Sequence, residues 1–428
     1  MPASALRSPA VGQDWFDGAG LGLFIHWSHC SVDGRELSWP MVGGNPALPR
    51  CQDLTVADYY STVPRFTPGP DALREVVALG ARAGARYAVL TARHHDGFAL
   101  WPSQHGDFSI AGPDPGTDIV SDFVTACRDE GLRVGLYYSL SDWHHPDYPA
   151  WRDEDRPYPF IAYPRPEPDA WERYQEYLRG QLTDLLTRYG PIDVLWFDGQ
   201  WERTPDLWEA GELRKLVRDL QPDCLVNDRL PGEGDFETPE QFVPPTPPDG
   251  RWEACMTMNA SWGWNTDDPD YKSARELVHT LCETAGRGGN LLLNVGPRGD
   301  GSLPPEQQER LGALAAWMGA HAPAIHDTGA GVEPWQFYGP TTRRGQTLYL
   351  HLVMRPYDTV TVRGVPIARV ARVTELRSGR ELTFRTRCAI LDQLLNSDPL
   401  GELTIDVPDD VVDADATVVA VEFEPEAA

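Results

Sequence analysis

The sequence predicts an α/β protein, a (β/α)8-like barrel over residues 1–328 followed by an all-β sandwich over residues 329–428. Three observations carry that expectation. From Gly20 to about Trp317, short apolar runs alternate with amphipathic segments of helical length, the pattern of repeated βα units and a mostly parallel sheet. No GxGxxG or GxxxxGK(S/T) follows any of those runs, so the nucleotide-binding α/β folds lose their usual support. After Asp327 the runs become short, β-branched and separated by Gly, Pro or Asp.

In chain order, the barrel strands are expected at Leu21–Trp27, Tyr87–Ala92, Arg133–Ser139, Ile192–Phe197, Cys224–Asn227, Cys255–Met258 and Leu291–Val295. These are seven runs where a full barrel has eight. Helical periodicity falls on Asp71–Ala83, Asp118–Glu130, Ala170–Arg188, Asp206–Leu220, Lys272–Ala285 and Pro305–Met318. The sandwich strands are expected at Thr347–Val353, Thr359–Val362, Val370–Glu375, Glu381–Phe384, Glu402–Val407 and Thr417–Phe423. Two Pro-rich loops, His144–Pro168 and Pro231–Pro248, are long enough to serve as walls or lids.

Composition narrows the partners. With 428 residues, 41% hydrophobic and 24% charged, the chain can bury a core, which excludes a disordered or fibrous class. Its 64 acids against 37 bases leave a net charge of -27, which repels phosphate backbones and anionic lipid; nucleic-acid and membrane partners are not expected. Seven dispersed cysteines with no CxxC pair read as buried apolar residues rather than as disulfides or a zinc cluster. Met1–Trp15 carries no apolar run after a basic end, and no stretch has the length of a membrane span, so a cytoplasmic location is expected.

The chemistry-bearing residues gather at strand ends, where barrels hold their sites. Asp198 ends the run Ile192–Phe197, and alternation puts Asp198, Trp196 and Val194 on one face, the barrel interior, with Leu195 and Phe197 toward the helices. A carboxylate beside an indole suits a sugar, the ring packing on an apolar sugar face while the carboxylate meets an anomeric carbon. A second carboxyl is needed as acid/base; the candidates are Glu237 and Glu240 in Asp235-Phe236-Glu237-Thr238-Pro239-Glu240, and Glu253. His26, His94 and His95 also stand at strand ends, where neutral imidazoles bond sugar hydroxyls; the HxH spacing of barrel metal hydrolases is absent. His144 and His145 read as solvated, and Trp39, Trp143, Trp262 and Trp264 as loop tryptophans able to wall a pocket.

On these residues the chain resembles the α-L-fucosidases of glycoside hydrolase family 29. The resemblance runs in order through Gly22-Leu23-Phe24-Ile25-His26-Trp27, His94-His95-Asp96-Gly97-Phe98, Gly135-Leu136-Tyr137-Tyr138-Ser139, Leu195-Trp196-Phe197-Asp198-Gly199, Asn227-Asp228-Arg229, Gly234–Glu240, Ser261-Trp262-Gly263-Trp264 and Gly288–Pro297. It implies a retaining exo-glycosidase that removes terminal α-L-fucose, built as a barrel followed by a β-sandwich, with no cofactor and no metal. The implied nucleophile is Asp198. The implied acid/base is Glu240, with Glu237 and Glu253 as alternatives. His26, His94, His95, Trp196 and Arg229 fall on the sugar pocket, with Tyr137 or, alternatively, Tyr138. Where many members carry Glu-Trp after the first strand's histidine, this chain has Ser38-Trp39, with Glu36 two residues earlier; Trp39 can wall the pocket without that carboxylate. Two other readings stand beside this one: a metal-dependent hydrolase using His26, His94 and His95, and a fucose-binding protein without catalysis.

Overall fold

The structure is a computed structural model that describes residues 15–44, 47–156 and 163–425. Most of Met1–Trp15, read above for a leader, and residues 157–162 of the first Pro-rich loop lie outside the described residues.

The barrel strands are β1 (Leu21–Ile25), β2 (Tyr87–Arg93), β3 (Arg133–Ser139), β4 (Val194–Asp198), β5 (Leu225–Val226), β6 (Glu253–Thr257) and β7 (Asn290–Val295). They form one parallel sheet in the order β5-β4-β3-β2-β1-β7-β6. Helices α1 (Val56–Tyr60), α2 (Arg74–Arg82), α3 (Ile119–Asp129), α4 (Pro168–Arg188), α5 (Pro205–Trp208), α6 (Ala210–Leu220) and α7 (Ala274–Gly286) lie between them, and α8 (Pro305–His321) follows β7. The single helix expected over Asp206–Leu220 is two, because Glu209 adopts φ 52° and breaks the run.

The missing eighth stave is inside the second Pro-rich loop. Segment Asp235–Gln241 runs between β5 and β6: Asp235 N–H donates to Val226 O and Asp228 N–H to Phe236 O on one side, while Glu253 N–H donates to Glu237 O and Cys255 N–H to Pro239 O on the other. Each contact is an isolated bridge. Pro239 has no N–H to give, so a continuous ladder cannot form. Asp235 anchors the start, accepting from Val226 N–H, Arg218 and Arg214, the last two on α6.

Inward side chains fill the lumen with Phe24, Tyr87, Val89, Tyr137, Val194, Trp196, Leu225, Phe236, Cys255 and Leu292. The opposite faces of the strands pack on the helices, Leu195, Phe197 and Tyr138 among them. Gly22 is required by this filling: a Cβ there would sit 2.3 Å from the Tyr87 ring.

Beyond α8 the chain becomes antiparallel: β8 (Gly329–Ala330), β9 (Thr341–Arg344), β10 (Thr347–Leu352), β11 (Thr359–Pro366), β12 (Val370–Glu375), β13 (Phe384–Arg387), the short helix α9 (Ile390–Leu395), β14 (Leu400–Asp406) and β15 (Thr417–Phe423). The strand expected at Glu381–Phe384 begins only at Phe384, since Glu381 makes one isolated bridge to Thr374. Sheet β12-β15-β10-β9-β8 faces sheet β11-β14-β13. Leu348, Leu350, Val419 and Val421 of the first meet Val360, Val362, Leu403 and Ile405 of the second in one core. The seven cysteines are free, five of them buried. Among the described residues no helix is long and apolar enough to cross a membrane.

Candidate active site

Ten of the residues singled out from the sequence line one cavity of about 340 Å³ at the C-terminal strand ends: His26, Trp39, His94, His95, Tyr137, Trp196, Asp198, Arg229, Glu240 and Trp262; Trp143 and Trp264 are not in its lining. Phe24, Tyr163 and Trp201 complete its wall and were not singled out. Phe24 could have been reached by alternation, since Gly22, Phe24 and His26 share a face. Trp201 lies three residues beyond Asp198, on a one-turn helix that interrupts the strand period.

Asp198 is the best-held group. It closes β4 opposite Ser139 of β3, so its side chain enters the lumen above Trp196 and Val194. Tyr137 OH donates to its Oδ2 at 2.7 Å and Arg229 Nη1 to its Oδ1 at 2.8 Å. His95 Nε2 lies 3.6 Å from Oδ2. Burial alone would raise this carboxyl, but the Arg229 charge and the hydrogen bonds from Arg229 and Tyr137 outweigh it and hold the group below the usual carboxylate range. Asp198 is therefore ionised at neutral pH. Tyr137, not Tyr138, is the pocket tyrosine; Tyr138 faces outward and donates to Gln181 on α4.

Arg229 joins the two carboxylates. Its Nη2 donates to Glu240 Oε2 at 2.6 Å, its Nε to Thr238 Oγ1 at 3.3 Å, and its guanidinium lies 4.6 Å from the Trp196 ring centroid. The stave's alternation separates the candidate acids. Phe236 and Thr238 point inward with Glu240, which leaves Glu237 exposed on the other face. Glu253 is fully buried below the pocket, where Trp196 Nε1 at 2.8 Å and Tyr87 OH donate to it; burial raises it to about 7. Glu240 alone of the three reaches the cavity. Its side chain is 40% exposed and paired with Arg229.

The histidines are held from behind. His26 Nδ1 donates to Asn294 Oδ1 at 2.6 Å, leaving Nε2 as its acceptor, while Asn294 Nδ2 in turn donates to Trp262 O. His94 Nδ1 meets Ser38 Oγ and His95 Nδ1 meets Ser139 Oγ, both at 2.6 Å. Burial lowers His26 to about 3, His95 to about 4 and His94 well below its ordinary value. All three are neutral at pH 7. Ser38 is thus engaged with His94 and accepts Asp96 N–H besides. Glu36 is buried and turned away, accepting the N–H groups of Leu37, Trp262 and Gly263, which ties the Trp262 loop to the β1 side of the mouth. His144 and His145 lie outside the pocket, and His144 stacks on Phe108.

His94, His95 and Asp198 bring one ligand atom each within 4.8 Å of one another, whereas His26 stands outside that group. Arg229 already supplies the positive charge that a cation would bring to Asp198. Indole and phenol faces line the remaining wall: Tyr137 is parallel to Trp196 at 5.6 Å and to His94 at 5.4 Å.

A pocket with an ionised acid at its floor and aromatic walls suits the cleavage of a sugar. The family model for α-L-fucosidase matches residues 4–323, and the chain belongs to that family. It is 31% identical to the tissue α-L-fucosidase of Bos taurus over 403 residues, 86% of this chain and 81% of the relative. Its fold is similar to that of α-L-fucosidase isoenzyme 1 from Paenibacillus thiaminolyticus, with a TM-score of 0.82, 34% identity and coverage of 96% of this chain and 98% of the other. The α-fucosidase of Thermotoga maritima in complex with a mechanism-based inhibitor aligns at 28% identity, TM-score 0.75, over 95% and 96% of the two chains.

Proposed function

We propose that the protein is a retaining exo-α-L-fucosidase acting by double displacement on terminal α-L-fucose of fucosylated glycans or glycosides. The observation that carries this reading is the setting of Asp198, ionised at the closed end of the pocket between Arg229 and Tyr137. An Asp198 oxygen attacks the anomeric carbon as the glycosidic C–O bond breaks, and Glu240 gives its proton to the departing oxygen. Glu240 then takes a proton from water, whose oxygen attacks the same carbon and expels Asp198. For the first step Glu240 must exchange Arg229 for the glycosidic oxygen. Its partial exposure supports that exchange, since only one ion pair has to be given up. The neutral histidines bond the sugar hydroxyls, and Trp196 and Trp262 pack on the apolar ring face.

The test is the anomeric form of the first fucose released from 4-nitrophenyl α-L-fucopyranoside, read by proton NMR before mutarotation, with EDTA present. The α-anomer is expected. The β-anomer would mean direct attack by water and would end the nucleophile role of Asp198; loss of turnover in EDTA would return the His94, His95 and Asp198 group to consideration as a metal site.

A further inference from the structure

The fucosidase reading leaves the other half of the substrate unassigned, and this inference rests on that reading. Trp201 is 41% exposed, whereas thirteen of the fifteen tryptophans are buried or half-buried. The other exposed one, Trp335, lies beyond the barrel. An indole left open at the rim of a sugar pocket is an unfilled contact surface.

Trp201 is also rigidly presented. It stands on the turn Gln200–Glu202 directly after Asp198-Gly199. Gly199 has φ 77°, and a Cβ there would sit 2.5 Å from Ser141 Oγ, so the turn packs tightly on the loop after β3. Glu202, the next residue, is buried and accepts from Trp143 Nε1 at 2.8 Å and Tyr148 OH at 2.5 Å. Trp208 Nε1 donates to Gln200 O at 2.9 Å. The Trp201 ring is near-parallel to Trp39, at 15° and 6.2 Å between centroids, and lies edge-on to His95 at 5.5 Å. The two indoles form one shelf leading from the catalytic carboxylates to solvent.

In an exo-cleaving pocket the fucose takes the closed end, and the leaving group must pass out through the mouth. We propose that Trp201, backed by Trp39, is the platform for the leaving group and stacks on its first ring, a neutral hexopyranose presenting an apolar face of C–H bonds. The net charge of -27 disfavours an anionic sugar there.

The experiment compares wild type, Trp201→Ala and Trp201→Phe on two kinds of substrate. One is α-L-fucosyl fluoride, whose leaving group is a single atom; the other is the best-cleaved of the α-L-fucosyl-(1→2)-, (1→3)-, (1→4)- and (1→6)-hexose disaccharides. Trp201→Ala is expected to lower kcat/KM on the disaccharide about tenfold while changing the fluoride less than about twofold, and Trp201→Phe to restore most of the loss. Equal losses on both substrates would assign Trp201 to supporting the turn after Asp198 and overturn the platform; so would no loss on either. Wild-type turnover of the fluoride tests the fucosidase chemistry separately, because it needs no leaving sugar.

Discussion

The two carboxylates of the pocket sit on staves of different construction. Asp198 ends β4, which pairs with β3 over Gly135–Ser139, and it is 7% exposed with hydrogen bonds to both oxygens. Glu240 belongs to a stave joined to its neighbours by isolated bridges, and its carboxylate holds Arg229 while remaining 40% exposed. The contrast follows the division of labour in double displacement. A nucleophile gains from fixed geometry and a permanent charge. An acid/base has to change partner and protonation state twice in each cycle, which a sealed, multiply bonded group could not do.

The largest expected effect breaks the fixed side of that contrast. Asp198→Asn keeps the shape but removes the charge between Arg229 and Tyr137, and kcat is expected to fall by at least about 10⁴-fold. Residual activity above about 1% in steady-state assays would reassign the nucleophile. Glu240→Gln tests the exchangeable side. On a fucosyl disaccharide with a poor leaving group it should cost about 10² to 10⁴ in kcat/KM. On the 4-nitrophenyl fucoside, whose leaving group needs no proton, kcat/KM should fall far less; equal losses on both would argue against proton donation by Glu240.

The smallest effect concerns the layer beneath. Glu253 is raised to about 7 from an ordinary 4.5 by burial, so the fold binds its proton where the unfolded chain does not. Its stabilising contribution is complete below about 4.5 and is lost as pH rises through about 7. Glu253→Gln, permanently neutral, should gain stability relative to wild type between pH 5 and pH 8, by roughly 1 to 3 kcal/mol in urea unfolding. A pH-independent difference would show that Glu253 does not titrate in the fold. If the floor under Asp198 is rigid through Trp196, the same variant keeps kcat within about tenfold of wild type.

Much of the site was legible because barrel strands have a strict period of two. Asp198, Trp196 and Val194 fall on the interior face by alternation, and Tyr137 shares with Gly135 and Ser139 the smaller, more polar face of its strand, opposite Tyr138. The stave Asp235–Gln241 was not legible. Six prolines between Pro231 and Pro248 mark that stretch as a loop, and a single Pro within a run removes the donor that identifies a strand. Once the stave exists, the same alternation chooses Glu240 over Glu237. Glu36 escaped for another reason: the N–H groups of Trp262 and Gly263 that it satisfies are more than 200 positions away in the chain.

The sequence by itself determined the fold class, the family and ten of the thirteen residues that line the pocket, because these are legible from local periodicity and from short motifs that can each be read without the rest of the chain. Only the tertiary structure decided which acid reaches the cavity, that Arg229 joins the two carboxylates, that Asp198 stays ionised despite burial, and that Trp201 is left open at the rim. Those outcomes depend on distances between staves far apart in the chain and on the low dielectric created when the barrel closes around them, neither of which any single segment encodes.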